Sequence, residues 1–366
     1  MSNNLNKIIS DEIKNNGPMG LGAFTTMALC YPEFGYYMGA DPFGVEGDFI
    51  TAPEISQMFG EVIGAWVIDV WKQLGQPEKI NLIECGPGRA TLMSDILRSG
   101  KSVGGFIDAV QLHLIESSDT LRERQKDTLK EHNISWHMDL SGVEGDDPCI
   151  ILGNEFLDAL PIEQLKRTEG GWKKRGVIVK DTQPEFKSIW VEVDDALTQF
   201  LPSKTQSEQI YEVAPARIEF ITACVNLLNK STGAALFIDY GYTKSTYGDT
   251  LQALKAHKFV DVLKDVGACD ITSHVDFDAL SRCVSAQGMH VESISPQGRF
   301  LIALGIEHRL LVLKNTALKT VALGDASALI KDMENSVERL IEEKQMGDLF
   351  KVMCFHSGNG LKPAGF

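Results

Sequence analysis

The residues best suited to chemistry cluster in one short stretch, Ile83-Glu84-Cys85-Gly86-Pro87-Gly88-Arg89-Ala90-Thr91. Gly86 and Gly88 permit a tight strand-to-helix turn and let a ligand approach the backbone closely, and Glu84 sets a carboxylate beside that turn. Two cofactor classes use such a turn. A dinucleotide fingerprint reads G-x-G-x-x-G, and Thr91 stands where its last glycine belongs. The nucleoside-binding turn of S-adenosylmethionine enzymes reads acid-x-G-x-G-x-G; here the acid and the first two glycines fit, and Ala90 replaces the third. Glu116 ends the next strand, where a carboxylate can accept hydrogen bonds from both hydroxyls of a ribose. Asp139 follows the third strand and is placed to accept from an adenine amino group, although an acid there also serves as a helix cap. After the fourth strand comes Gly153-Asn154-Glu155-Phe156-Leu157-Asp158-Ala159-Leu160-Pro161. Ligands bind outside the carboxyl ends of parallel strands, which puts Asn154 at the cofactor and Glu155 and Asp158 before a substrate. Capping the following helix is the competing role for these residues.

Positioning those residues requires a particular scaffold. From Lys79 onward, near-continuous apolar segments (KINLIEC, QLHLIE, SWHM, CIILGNE and AALFIDYG) are separated by turns and helical patterns such as Thr120–Lys130. That texture predicts an α/β fold with a doubly wound, mostly parallel sheet covered on both faces. Upstream, Leu5, Ile8, Ile9 and Ile13 predict a helix stopped by Gly17-Pro18. Thr51-Ala52-Pro53-Glu54 reads as a capping box opening a long apolar helix that ends near Gly75. Residues 163–215 alternate over short distances and predict an antiparallel insertion. Leu304 to Glu343 reads as helical, and 349–355 as a closing strand. The expected organisation is 1–78 as an N-terminal helical or lid region, 79–162 as the first part of the sheet domain, 163–215 as a substrate-side insertion, and 216–366 as the remainder.

Composition narrows the function. The 366 residues are 43% hydrophobic and 23% charged, the profile of a folded globular chain. With 35 Lys and Arg against 50 Asp and Glu, the net charge is −15, and no basic stripe offers itself to nucleic acid. The seven cysteines form no CxxC pair, which suggests neither a disulfide framework nor a zinc site, and no metal is expected. The N-terminal residues lack both a signal core and an acid-poor transit pattern, and no apolar run is long enough to span a membrane, so a cytoplasmic location is the expectation. G-x-S-x-G and H-E-x-x-H are absent, leaving hydrolase and metalloprotease readings without support.

Taken in order, GPMGLGAFTTMALCYPEFGYYMGADPFGVEGDFITAPEISQMFGEVIGAWV, IECGPGRATLM, LIESSDTLRERQ, ILGNEFLDALPIEQ, LFIDYGY, DITSHVDFDAL, PQGRFLIALGI and the MGDLFKVM ending resemble the S-adenosylmethionine-dependent protein arginine methyltransferases that act as assembly factors for respiratory complex I, including the bacterial MidA family. The resemblance runs from about Asn16 to Phe366, and it departs from the family turn at Ala90. It implies a class I methyltransferase fold, S-adenosyl-L-methionine as cofactor, and symmetric ω-N methylation of an arginine on a protein partner. The implied partner is the quinone-side subunit of NADH dehydrogenase in a bacterial cell; a homodimer stays open.

Arginine is planar, always charged and open to a bidentate carboxylate grip, the task assigned to Glu155 and Asp158. Asp48 and Asp239 are held in reserve, and the aromatic stretch Phe34, Tyr36, Tyr37, Phe43 and Phe49 is either a water-excluding lid or core. His274 and Asp276 read as structural. Two other classes stay in view: a non-catalytic assembly chaperone that keeps this fold, and a dinucleotide oxidoreductase sharing the sheet.

Overall fold

The computed structural model describes residues 2–39, 51–180, 185–202, 208–358 and 360–366, with the side chains of all of these except 2, 3, 323 and 324. Asp48, Phe43 and Phe49 lie outside the described residues. The chain divides into two compact units, each built from three separate segments.

The larger unit, Ile50–Leu157, Ile221–Thr243 and Val275–Phe366, is built on strands β1 (Ile80–Cys85), β2 (Val110–Ile115), β3 (Ile134–His137), β4 (Cys149–Asn154), β5 (Gly233–Tyr242), β6 (His290–Val291) and β7 (Phe350–His356). Their order across the sheet is β3-β2-β1-β4-β5-β7-β6. The pairs from β3 to β5 are parallel, and β7 runs antiparallel to both of its neighbours. This is the class I methyltransferase arrangement of a Rossmann-like sheet. All six residues of β1 are buried, as a strand covered on both faces requires. The chain runs outward from β1 through β2 to β3 and then returns to β4 on the other side of β1. The carboxyl ends of β1 and β4 therefore flank the switch point at which such sheets bind ligands.

The long apolar helix belongs with this sheet. Gln57–Gln73 buries Met58, Phe59, Val62, Ile63, Trp66, Val67, Val70 and Trp71, so the expected N-terminal region 1–78 is split between the two units. Gly60 and Gly64 let it lie against the helix Thr91–Gly100: a Cβ on Gly60 would stand 2.4 Å from the Asp95 Cβ. The helix does not start where the capping box predicted. Thr51 makes no side-chain cap; a short turn Ala52–Ile55 comes first, and the chain then becomes extended at Ser56, whose Oγ accepts from the Met58 N–H at 3.2 Å. The Ala52 N–H is instead engaged by the Glu155 carboxylate at 2.9 Å, so a long-range contact replaces the local one.

The smaller unit, Met1–Phe49, Asp158–Phe220 and Lys244–His274, holds an antiparallel sheet ordered Met19–Gly20, Gly171–Val179, Glu163–Thr168, Ile210–Val213, with Phe186–Glu192 also paired to Gly171–Val179. A three-stranded sheet comprises Gln252–Lys255, Lys258–Val260 and Asp270–Thr272. Its core joins Leu5, Ile9 and Phe24 to Val177, Phe186, Val266 and Ile271. Residues 244–274 thus group with the N-terminal helices and the 163–215 strands rather than with the sheet domain, because burying Val266, Cys269 and Ile271 requires that apolar surface. Phe34, Tyr36 and Tyr37 pack into the same core.

Candidate active site

The glycine turn closes directly on the end of β1. Gly86 (φ +62°), Gly88 (φ +52°) and Ala90 (φ +60°) all adopt left-handed backbone conformations. A Cβ at Gly86 would come within 2.6 Å of the Phe156 ring, so the turn and the loop after β4 are in contact through a position only glycine can fill. Ala90 is fully buried and caps the helix Thr91–Gly100 from an αL conformation. This backbone identifies what alanine costs: a left-handed L-residue is disfavoured by about 1–2 kcal/mol. Glycine recovers that but loses about 0.4–1 kcal/mol through its more flexible unfolded chain. Losing the buried Ala90 methyl costs about 0.8 kcal/mol more, so Ala90→Gly is expected to keep stability within about 1 kcal/mol of the parent, measurable as the urea midpoint at unchanged m-value.

Glu84, the penultimate residue of β1, is buried, and burial pushes its carboxyl up to about 8. Its Oε2 is buried without a hydrogen-bond partner among the described residues. The Asn154 Oδ1 at the end of β4 is in the same condition, while its Nδ2 donates to the Glu155 Oε1 at 3.1 Å. Buried acceptors left unpaired are costly in a folded chain, and their presence beside a glycine turn is what a ligand carrying N–H groups would correct.

Glu116 stands just beyond β2, buried and fixed. Oε1 accepts from the Ser118 N–H at 2.9 Å and Oε2 from Gln125 Nε2 at 3.0 Å. Burial raises its carboxyl above the ordinary range, although the Ser118 and Gln125 hydrogen bonds pull the other way. The same Gln125 nitrogen donates to the Gly88 carbonyl at 2.9 Å, and the Trp136 indole donates to Gln125 Oε1 at 2.9 Å. Gln125 thereby ties the glycine turn to Glu116 and to β3. Sequence reasoning missed this residue, which is a lone amide within a polar helix, Asp119–Thr128, and carries no local signal. Arg122 adds a second brace: its Nε donates to the Glu116 carbonyl at 2.9 Å.

Asp139 is exposed and acts as a cap, its Oδ1 accepting from the Ser141 N–H at 2.8 Å and from the Ser141 hydroxyl at 2.5 Å. Those hydrogen bonds hold its carboxyl below the usual range. Asp239 is buried and fully engaged with backbone: Oδ2 accepts from Phe156 N at 3.1 Å and Leu157 N at 2.9 Å, and Oδ1 from Tyr240 N at 2.9 Å. It shapes the loop after β4. That loop begins with Glu155 at φ +50°, a strained conformation for a glutamate and a common mark of a functional position. Its Oε1 accepts from Ala52 N and Asn154 Nδ2, and its N–H donates to the Ile238 carbonyl at 2.8 Å.

Glu84, Gly86, Gly88, Glu116, Asn154 and Glu155 thus all stand at the carboxyl ends of β1, β2 and β4. Asp158 opens the second segment of the smaller unit. There its carbonyl accepts from buried Arg217 (Nη2, 3.1 Å) and from Ser273 N (3.2 Å), and its charge faces Tyr37. Asp276 caps the helix Phe277–Ala286, and the His274 N–H donates to Thr250 Oγ1 at 3.0 Å.

Comparison with known proteins gives this arrangement a context. Residues 62–295 match a family profile described as S-adenosyl-L-methionine-dependent methyltransferase. The mitochondrial protein arginine methyltransferase NDUFAF7 of Xenopus tropicalis is 31% identical over 96% of this chain and 85% of its own. The human protein of that name is 33% identical over 94% and 81%, and the mouse protein 34% over 93% and 81%. A Burkholderia thailandensis crystal structure bound to S-adenosyl-homocysteine superposes with a TM-score of 0.83 at 26% identity, covering 97% of this chain and 92% of that one.

Proposed function

Since this chain belongs to the S-adenosyl-L-methionine-dependent methyltransferase family that includes the NDUFAF7 protein arginine methyltransferases, we propose that it methylates an arginine of a protein partner, symmetrically on the ω-nitrogens, and that the partner is a subunit of respiratory complex I. The carrying observation is Glu155: a carboxylate on a strained backbone at the mouth of the switch point, oriented by Asn154 and Ala52.

The residues at the strand ends suit the cofactor. Glu116 would hold the ribose hydroxyls, Asp139 the adenine amino group, the Gly86–Gly88 backbone the methionine end, and Glu84 with Asn154 its ammonium. Bound there, S-adenosyl-L-methionine supplies an electrophilic methyl group on a sulfonium. The protein's task is then mainly positioning, since the acceptor nitrogen must lie in line behind the methyl carbon. A guanidinium paired with the Glu155 carboxylate is held in place, and electron density is concentrated on its free nitrogen. Asp158, three residues further along the same loop, is the second carboxylate of this proposal.

Intact-mass spectrometry of the quinone-side complex I subunit, from cells with and without this gene, tests the reading directly. Two methyl groups on one arginine are expected only with the gene, and an unmodified subunit in both would refute the assignment.

The raised Glu84 carboxyl adds a pH signature. A cationic ammonium favours ionised Glu84, so cofactor binding below about pH 8 should expel a proton. Affinity is expected to rise with pH, by at most about tenfold per unit, and to level off above about 8. Stability of the free protein runs the other way. The neutral buried acid contributes fully below the ordinary carboxylate range, and its contribution is lost as pH rises through about 8. Calorimetry in buffers of differing ionisation enthalpy would count the proton, and Glu84→Gln should remove it.

A further inference from the structure

We propose that His290, Glu292 and His356 bind one divalent transition-metal ion of the zinc class at the outer edge of the parallel sheet. Strands β6 and β7 pair in register with His290 directly opposite His356, and Glu292 follows directly after β6, two residues beyond His290. Glu292 is held in that register by its N–H, which donates to the Cys354 carbonyl at 2.9 Å. The Glu292 Oε1 lies 3.2 Å from His356 Nε2 and 3.5 Å from His290 Nε2, and one ligand atom from each of the three falls within 4.8 Å of the others. Metal–ligand bonds of about 2.0–2.2 Å at a tetrahedral angle separate neighbouring ligand atoms by about 3.3–3.6 Å. A hydrogen bond to His356 alone would account for one of these distances. It does not call for a second imidazole converging on the same carboxylate oxygen.

The donor chemistry selects the ion. Two imidazoles and a carboxylate suit zinc, nickel or copper rather than calcium or magnesium, and three protein ligands leave a fourth position for water. His356 is buried at its base, whereas His290 is 58% exposed, so the site has a floor and an open approach. One contact opposes binding: the Gly358 N–H donates to His356 Nδ1 at 3.1 Å. An ion on Nε2 moves the ring proton to Nδ1, so that contact must open, and the affinity falls below that of a closed structural zinc cage.

The location sets the role. His356 pairs with Ala234 at the start of β5, whereas Glu155 is held by the Ile238 carbonyl further along that strand, toward its carboxyl end. The ion would therefore staple β6 to β7 at the end of the sheet remote from methyl transfer.

The test is calorimetric titration of Zn2+ into the full-length, chelator-treated protein, alongside its melting temperature. One Zn2+ per chain and a raised melting temperature are expected, with affinity reduced at least tenfold in His290→Ala and, independently, in Glu292→Gln. Cofactor affinity in both variants should match the parent, which establishes that they fold. Zn2+ binding that is absent from the parent protein, or equal in the parent and both variants, overturns the proposal.

Discussion

Glu116→Ala is expected to weaken S-adenosyl-L-methionine binding about 100- to 1,000-fold, read as the dissociation constant in isothermal titration. A carboxylate offers about four acceptor positions. In the free protein the Ser118 N–H and Gln125 Nε2 take one on each oxygen, leaving a site on each for a pair of ribose hydroxyls. Hydrogen bonds to a charged acceptor are worth about 1.5–3 kcal/mol each, and losing two removes about 3–4 kcal/mol after partial replacement by water. The scaffold should survive, because Gln125 keeps its bond to the Gly88 carbonyl and its acceptance from Trp136. A melting curve close to that of the parent, together with a collapsed cofactor affinity, is the expected pair of results. An unchanged affinity would mean that the nucleoside sits elsewhere.

The second large effect belongs to Glu155. Glu155→Gln should lower methyl transfer at least about 100-fold while leaving the cofactor dissociation constant within about twofold. The amide keeps an oxygen for the Ala52 N–H and the Asn154 amide, so the loop holds its shape and only the negative charge is lost. A charged carboxylate–guanidinium contact gives way to a weaker neutral one, a difference of about 3 kcal/mol in a desolvated site. Single-turnover measurement with the partner protein separates this from product release. Full transfer by the variant would exclude Glu155 as the acceptor-gripping group. A Glu155/Asp158 double variant that loses transfer yet still supports complex I assembly would favour a scaffolding role for the protein.

The legible part of this protein was its periodic and locally encoded part. The five parallel strands fall within about a residue of the apolar runs that predict them, and the turn after β1 is readable because glycine is the residue that tolerates its backbone. Elsewhere local signals misled. The Thr51 capping box is a sound short-range pattern, but the Ala52 N–H found a carboxylate 103 residues away.

The sequence by itself determined the sheet, the place of the glycine turn and the acid after β2, since these depend on hydrophobic period and on backbone conformations that few residues allow. Tertiary structure alone decided that Gln125 would join Gly88 to Glu116, that Asp239 would clasp the loop carrying Glu155, and that three separated segments would share each core. Such partners are selected by packing between residues far apart in the chain, and the free energy that selects them has no counterpart in any local stretch of sequence.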